Sequence, residues 1–211
     1  MKVAGLVLAG GQASRMQGRD KAFLDINGTS CLALVFSRLR QACSAVAISA
    51  NGDAARFAAW ECPVLPDRLH DMGPLAGLLS GLEWAEAEGY DALISVPVDT
   101  PFIPRGLVAA LLPAPSYACW SDRPHPLVAA WPVSCRPVLA DQLGRASGAA
   151  RKEQTRVRTL ARAIGARAID FAALSDHDPF MNINTPEDLL LAQNHTPCEL
   201  PAQVDKDAGH V

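Results

Sequence analysis

The stretch that most constrains this chain is its first twenty-one residues, where an apolar run from Val3 to Leu8 breaks into Ala9-Gly10-Gly11 and is followed by Arg15 and Lys21. A short, nearly continuous apolar run fits a strand covered on both faces. Gly10 and Gly11 lack Cβ atoms, so the backbone there is free to take left-handed angles and to converge its N–H groups on an anion. Two readings are open, a plain Gly-Gly turn and a phosphate-binding loop, and the charges of Arg15 and Lys21 favour the second. Of 19 basic residues only four are lysines, and Lys21 stands alone between Lys2 and Lys152, which suggests that a compact ammonium is wanted there.

The unit recurs. Phe23 to Ile26 alternates like a strand up to Asn27-Gly28, a hairpin signal, and Thr29 or Ser30 can cap a helix reaching Ala42 with Leu32, Val35, Phe36 and Leu39 on its apolar face. Val46 to Ser49, Val64-Leu65 and Ala92 to Val98 read as further core strands, with a helix from about Pro74 to Glu88. These strands end at Asn51-Gly52-Asp53, Pro66-Asp67 and Asp99-Thr100-Pro101, all suited to a ligand. Strands that alternate with helices and end in polar turns describe an open, mostly parallel α/β sheet, which binds ligands at the carboxyl ends of its strands.

The second half is less regular. Tyr117 to Trp120 and Leu127 to Trp131 read as strands around Arg123-Pro124-His125-Pro126, Val133 to Leu143 as a helix, and Ala168 to Phe171 as a last strand. Residues 145 to 167 hold seven basic side chains against Glu153 alone, either a solvated helix face or an anion site. Thr185 caps a final helix with Pro186 in its first turn. One domain is expected over residues 1–194, followed by a frayed tail from 195 to 211.

Composition narrows the function. A net charge of −3 argues against a dedicated nucleic-acid binder. Gly and Pro interrupt every apolar run before it could span a bilayer, so no membrane association and a cytoplasmic location are expected. The six cysteines form no CxxC pair and read as small apolar fillers. There is no GxxxxGK[ST] loop and no GxGxxG fingerprint. Asp99 reads either as a turn-forming acid or as a carboxylate for magnesium, and Asp67 carries the same ambiguity. His125 could equally be a strand-end histidine between prolines.

Several segments together resemble one family. LVLAGGQASRMQGRDKAFL looks like the signature loop of nucleotidyltransferases with a Rossmann-like sheet; DRLHDMGPLAGLLSGL, VPVDTPFIP, HPLVAAWP and FMNINTPEDL, in that order, resemble the molybdenum cofactor guanylyltransferases. The resemblance covers most of residues 3 to 194, and Gly73-Pro74-Leu75-Ala76-Gly77 tips it away from the related cytidylyltransferases. It implies a three-layer, Rossmann-like sheet with helices on both faces, a magnesium cofactor, and GTP and molybdopterin as substrates, with molybdoenzymes or their chaperones as acceptors of the product. By matching motif, Leu8, Ala9, Gly10 and Gly11 would meet the nucleotide, Lys21 and Arg15 its phosphates, Asn51 and Asp67 the guanosine, and Asp99 the magnesium. His125, Arg156, Asn182 and Asn184 would belong to the pterin side or the metal's surroundings. Two departures from the family pattern are Gln17, where glycine is common, and a stretch between Asp67 and Gly73 that is one residue short. The rival readings are a cytidylyl or sugar-phosphate transferase and a nucleotide-sensing module without catalysis.

Overall fold

The computed structural model describes residues 1–10, 20–69, 72–146, 151–174 and 177–194. Gly11, Arg15, Gln17, part of the stretch that looked shortened (His70 and Asp71) and the tail from 195 therefore lie outside the described residues.

Strand β1 (Val3–Leu8) is buried along its whole length, as its unbroken apolar run requires. Asp20 caps a single 3-10 turn, Lys21–Phe23. The alternation at Phe23 to Ile26 therefore yields only a two-residue strand, β2 (Asp25–Ile26), because Phe23 belongs to that turn. β2 pairs with β3 (Thr29–Ser30) around Asn27 and Gly28, whose φ angles of 53° and 88° are those a two-residue hairpin turn needs. Ser30 accepts from the Ala33 amide and starts α1 (Cys31–Ala42), which buries Leu32, Val35 and Leu39 at helical spacing.

Between β4 (Ala45–Ser49) and β5 (Val64–Leu65) the connection is not an α-helix but a 3-10 segment, Ala54–Trp60. Three residues per turn align Phe57 with Trp60, and their rings meet edge-on at 6.3 Å. Next come α2 (Pro74–Ala87) and the fully buried β6 (Ala92–Pro97), then α3 (Leu107–Leu111) and β7 (Ser116–Trp120). β8 (Arg123–Pro132) is one ten-residue strand that includes the Arg-Pro-His-Pro segment expected to connect two strands. Pro126 is tolerated because the pairing with β7 jumps from Tyr117↔Ala129 to Ala118↔His125, so that it falls in the bulge, where no ladder N–H is demanded. The chain closes with α4 (Arg136–Gly144), α5 (Arg151–Gln154), α6 (Val157–Ala163), β9 (Arg167–Asp170) and α7 (Pro186–Gln193).

The large sheet has the order β5-β4-β1-β6-β8-β7-β9. β5, β4, β1 and β6 run parallel, β8 is antiparallel to both β6 and β7, and β9 is parallel to β7. Alternate residues of β1 enter two cores: Val3 and Val7 pack with Leu32, Val35 and Leu39 of α1, while Ala4, Leu6 and Leu8 pack with α2, α4 and α6. Helices therefore cover both faces, giving a three-layer α/β architecture. Cys31 and Cys43 are pushed up to about 12 by burial and Cys135 to about 11, so these thiols are inert fillers. Among the described residues no helix is long and apolar enough to cross a membrane.

Candidate active site

Backbone pairing continues one step past the strand ends: Ala9 N–H donates to the Ser49 carbonyl (2.8 Å), Ala50 N–H to Leu65 (3.1 Å) and Val98 N–H to Leu8 (3.0 Å). The four polar exits thus emerge side by side at the carboxyl edge of the parallel strands, where α/β sheets hold ligands. Leu8, Ala9, Gly10, Lys21, Pro74, Asp99 and Asn182 line a cavity of about 180 Å³ there. Asp99 and Gly10 share this cleft, as four strands ending in ligand-type residues demanded. Gly10 is not left-handed, however, since its φ is not among the positive values. What it contributes is openness: an added Cβ would lie 3.9 Å from both Asn51 Nδ2 and Asp67 Oδ2.

Asn51 and Asp67 bind each other twice. Asn51 Nδ2 donates to Asp67 Oδ2 at 2.8 Å, and the Asp67 amide donates to Asn51 Oδ1 at 2.9 Å. The pair rests on Gly77 of α2, where a Cβ would stand 2.2 Å from Ser49 Oγ and 3.2 Å from Asp67 Oδ1. This close approach explains why Gly73-Pro74-Leu75-Ala76-Gly77 needs its last glycine. Gly77→Ala should cost about 1–3 kcal/mol in denaturant unfolding, the usual range for overpacking, and should shift Asp67, one of the groups it would displace. Wild-type stability in that variant would show that the contact relaxes freely.

At the other side of the cavity Lys21 Nζ donates to Asp99 Oδ2 at 2.8 Å and to Asn184 Oδ1 at 2.5 Å, while Asn182 Nδ2 donates to Asp99 Oδ1 at 3.0 Å. Asn184 therefore holds the Lys21 ammonium together with Asp99. Its backbone is held by Asp188, whose Oδ2 accepts from the Asn184 and Thr185 amides, both at 2.9 Å, and which completes a capping box with Thr185. The Asn184 amide, with those of Thr185 and the nearby Lys21 charge, keeps the Asp188 carboxyl below its usual range. A depressed folded-state pKa stabilises above the unfolded value and loses that contribution as pH falls through the folded one. The melting temperature should therefore fall as pH drops below about 4, and Asp188→Asn should flatten part of that slope.

A second, larger cavity of about 720 Å³ shares Pro97, Leu127 and Asn182 with the first and is lined by Arg123, His125, Arg156 and Arg158. The bulge in β8 puts Leu127 into the wall common to both. His125 is 8% exposed, shares Asp178 Oδ2 with Arg123 at 3.0 and 3.4 Å, and meets the Phe180 ring at a tilt, 5.2 Å between centroids. Burial pushes its pKa down despite the pull of Asp178. Arg156 also pairs with Glu153 at 2.8 Å. Of the residues singled out in the sequence, Leu8, Ala9, Gly10, Lys21, Asp99 and Asn182 line the small cavity, Asn51 and Asp67 adjoin Gly10, and Asn184 is joined through Lys21. His125 and Arg156 line the large one, with Asn182 in both. Arg123, Asp178 and Asp188 were missed. Asp188 was findable at the third position of the helix that Thr185 caps; Asp178, 53 residues from His125, left no local signal.

A family model described as MobA-like NTP transferase domain matches residues 5–166. Molybdenum cofactor guanylyltransferase from Acidiphilium cryptum is 46% identical over 89% of this chain and 92% of its own length. The protein of that name from Rhodobacter capsulatus is 43% identical over 92% and 96%. The chain belongs to the molybdenum cofactor guanylyltransferase family. Among solved structures, molybdopterin-guanine dinucleotide biosynthesis protein A from Archaeoglobus fulgidus superposes with a TM-score of 0.69 at 22% identity, over 92% of this chain and 97% of that one. A CMP:2-keto-3-deoxy-manno-octonic acid synthetase bound to CTP reaches 0.67 at 17%, over 92% and 98%. These likenesses show the fold alone. In molybdenum cofactor guanylyltransferase terms, the family model spans β1 through α6, whereas Asn182, Asn184 and Asp188 lie beyond it.

Proposed function

We propose that this protein transfers GMP from GTP to molybdopterin, releases pyrophosphate, and so makes the molybdopterin guanine dinucleotide cofactor. The observation that carries the reading, beside family membership, is two adjoining cavities that share Pro97, Leu127 and Asn182, with Lys21 and Asp99 in the first and a basic lining in the second. GTP takes the small cavity, with its phosphates on Lys21. Molybdopterin takes the large one, where Arg123, Arg156 and Arg158 attract its terminal phosphate.

An oxygen of that phosphate attacks the α-phosphorus of GTP, and the bond to the bridging oxygen breaks, leaving its electron pair with pyrophosphate. A phosphate monoester is already ionised at neutral pH, so no general base is needed. The barrier is the repulsion of two anions, and residues that hold both in line while neutralising charge lower it. Lys21 does this at the triphosphate, and Arg15, outside the described residues, is assigned the same work from its motif.

Magnesium is the proposed cofactor. The described residues hold no cluster of three His, Cys, Asp or Glu side chains, but magnesium is commonly held by one or two carboxylates together with substrate phosphates. Asp99 offers a carboxylate in the cavity, 14% exposed, whose oxygens keep lone pairs beyond the bonds from Lys21 and Asn182, and one such carboxylate beside substrate phosphates fits the ion. When bound, magnesium would withdraw charge from the leaving pyrophosphate. The test is direct: incubate the protein with magnesium, molybdopterin and each nucleoside triphosphate, and identify the product by mass. A guanine dinucleotide is expected; no dinucleotide with any triphosphate would overturn the enzymatic reading. The product is then passed to molybdoenzymes or their chaperones.

A further inference from the structure

Arg56 belongs to no motif above, yet it ties two sides of the nucleotide cavity together. Its Nη1 pairs with Asp20 Oδ2 at 2.6 Å, its Nη2 donates to the Asn51 carbonyl at 2.9 Å, and its guanidinium lies 4.6 Å over the Phe57 ring. Phe57 is 1% exposed and stacks on Phe23, so the platform under the guanidinium is fixed. Asp20 lines the cavity, and its other oxygen accepts from the Ala22 amide at 3.0 Å, capping the turn that carries Lys21. Asn51, at the other end, holds Asp67. One planar fork thus spans the phosphate lysine and the nucleoside pair.

We infer that Arg56 is a positioning residue of the nucleotide site: by bridging Asp20 and the Asn51 carbonyl it sets Lys21 and the Asn51–Asp67 pair in register before the triphosphate arrives. The inference rests on the nucleotidyl-transfer reading for its ligand. An ordinary ion pair, about one-third exposed on each side (34% and 31%), would contribute little to stability. A pre-set site differs in where the loss appears. Losing the bridge leaves two halves that the nucleotide itself must align, so affinity falls while the chemical step, once both are aligned, is kept.

Arg56→Met keeps a long apolar stem on Phe57 and removes both contacts. Asp20→Asn keeps the cap on Ala22 and removes the ion pair. By equilibrium titration with GTP, each variant should bind on the order of tenfold more weakly, a loss typical of a charged hydrogen bond. The double variant should bind no more weakly than the worse single one, because both remove the same bridge. Saturated turnover, the KM for molybdopterin and the melting temperature should stay near wild type. Unchanged GTP affinity in Arg56→Met would overturn the inference. So would tighter binding in Asp20→Asn, because that is what an arginine acting directly on phosphate would produce once its competing carboxylate is gone. The wild-type product identifies the nucleotide independently: if another triphosphate is used, the guanylyl reading falls, and the same titrations with that triphosphate decide the role of Arg56.

Discussion

CTP and UTP should be used about four orders of magnitude less efficiently than GTP, the discrimination reached by sites built to pair a substrate's polar groups. Guanine carries N1–H and N2–H donors beside the O6 acceptor. The Asn51–Asp67 pair adjoins Gly10, and the Asp67 carboxylate, engaged by Asn51 at 2.8 Å and by the Ser49 hydroxyl only at 3.5 Å, keeps acceptor capacity that such donors could use. A pyrimidine in that place would leave the polar atoms of the pair unmatched beneath the base and would fill less of the cavity. Gly77 bears on the same point, because it lets α2 press against Ser49 and Asp67 and hold the carboxylate in one position. ITP, which lacks only the N2 amine, should fall between GTP and CTP. Steady-state kinetics with the four triphosphates will decide. Equal turnover of CTP would end the guanylyl assignment and leave the wider nucleotidyltransferase reading standing.

How much of this was legible in the sequence depends on the range of the interaction. The strand at Val3–Leu8, the Asn27-Gly28 turn, the Ser30 cap and the Thr185 cap with Pro186 are written in a few consecutive residues, and each is present. The edge that gathers Gly10, Asn51, Asp67 and Asp99 followed from topology, since parallel strands must deliver their exits to one side. Misread features depend on partners far away in the chain. The β8 bulge comes from a mismatch between its pairing with β7 and the prolines at 124 and 126, so locally it looked like a connector. The Ala54–Trp60 segment, which drew no reading from the sequence alone, runs only seven residues before a left-handed Glu61, and its aromatic pair packs at three-residue spacing. Arg56 and Asp178 left no local signal, because their partners are 36 and 53 residues away.

Asp99→Asn should keep the fold yet reduce magnesium-dependent turnover by roughly two to three orders of magnitude, the scale of losing one main electrostatic stabiliser. The backbone at this position is anchored independently, because the Asp99 carbonyl accepts from the Ile183 amide at 2.9 Å, and asparagine has almost the same shape. The side chain, however, now accepts on both oxygens, from Lys21 at 2.8 Å and from Asn182 at 3.0 Å. An amide has one acceptor oxygen, so in the variant an NH₂ group must face one of those donors. If it faces Lys21, only Asn184 still holds the ammonium. The substitution therefore removes the charge proposed to hold magnesium and also loosens the lysine proposed to hold the phosphates. Raising magnesium should recover part of the loss, since the substrate's phosphates also ligate the ion. The readout is turnover across a magnesium titration, with the melting temperature as the control for folding. Activity within a factor of a few of wild type at limiting magnesium would remove Asp99 from the metal-binding role.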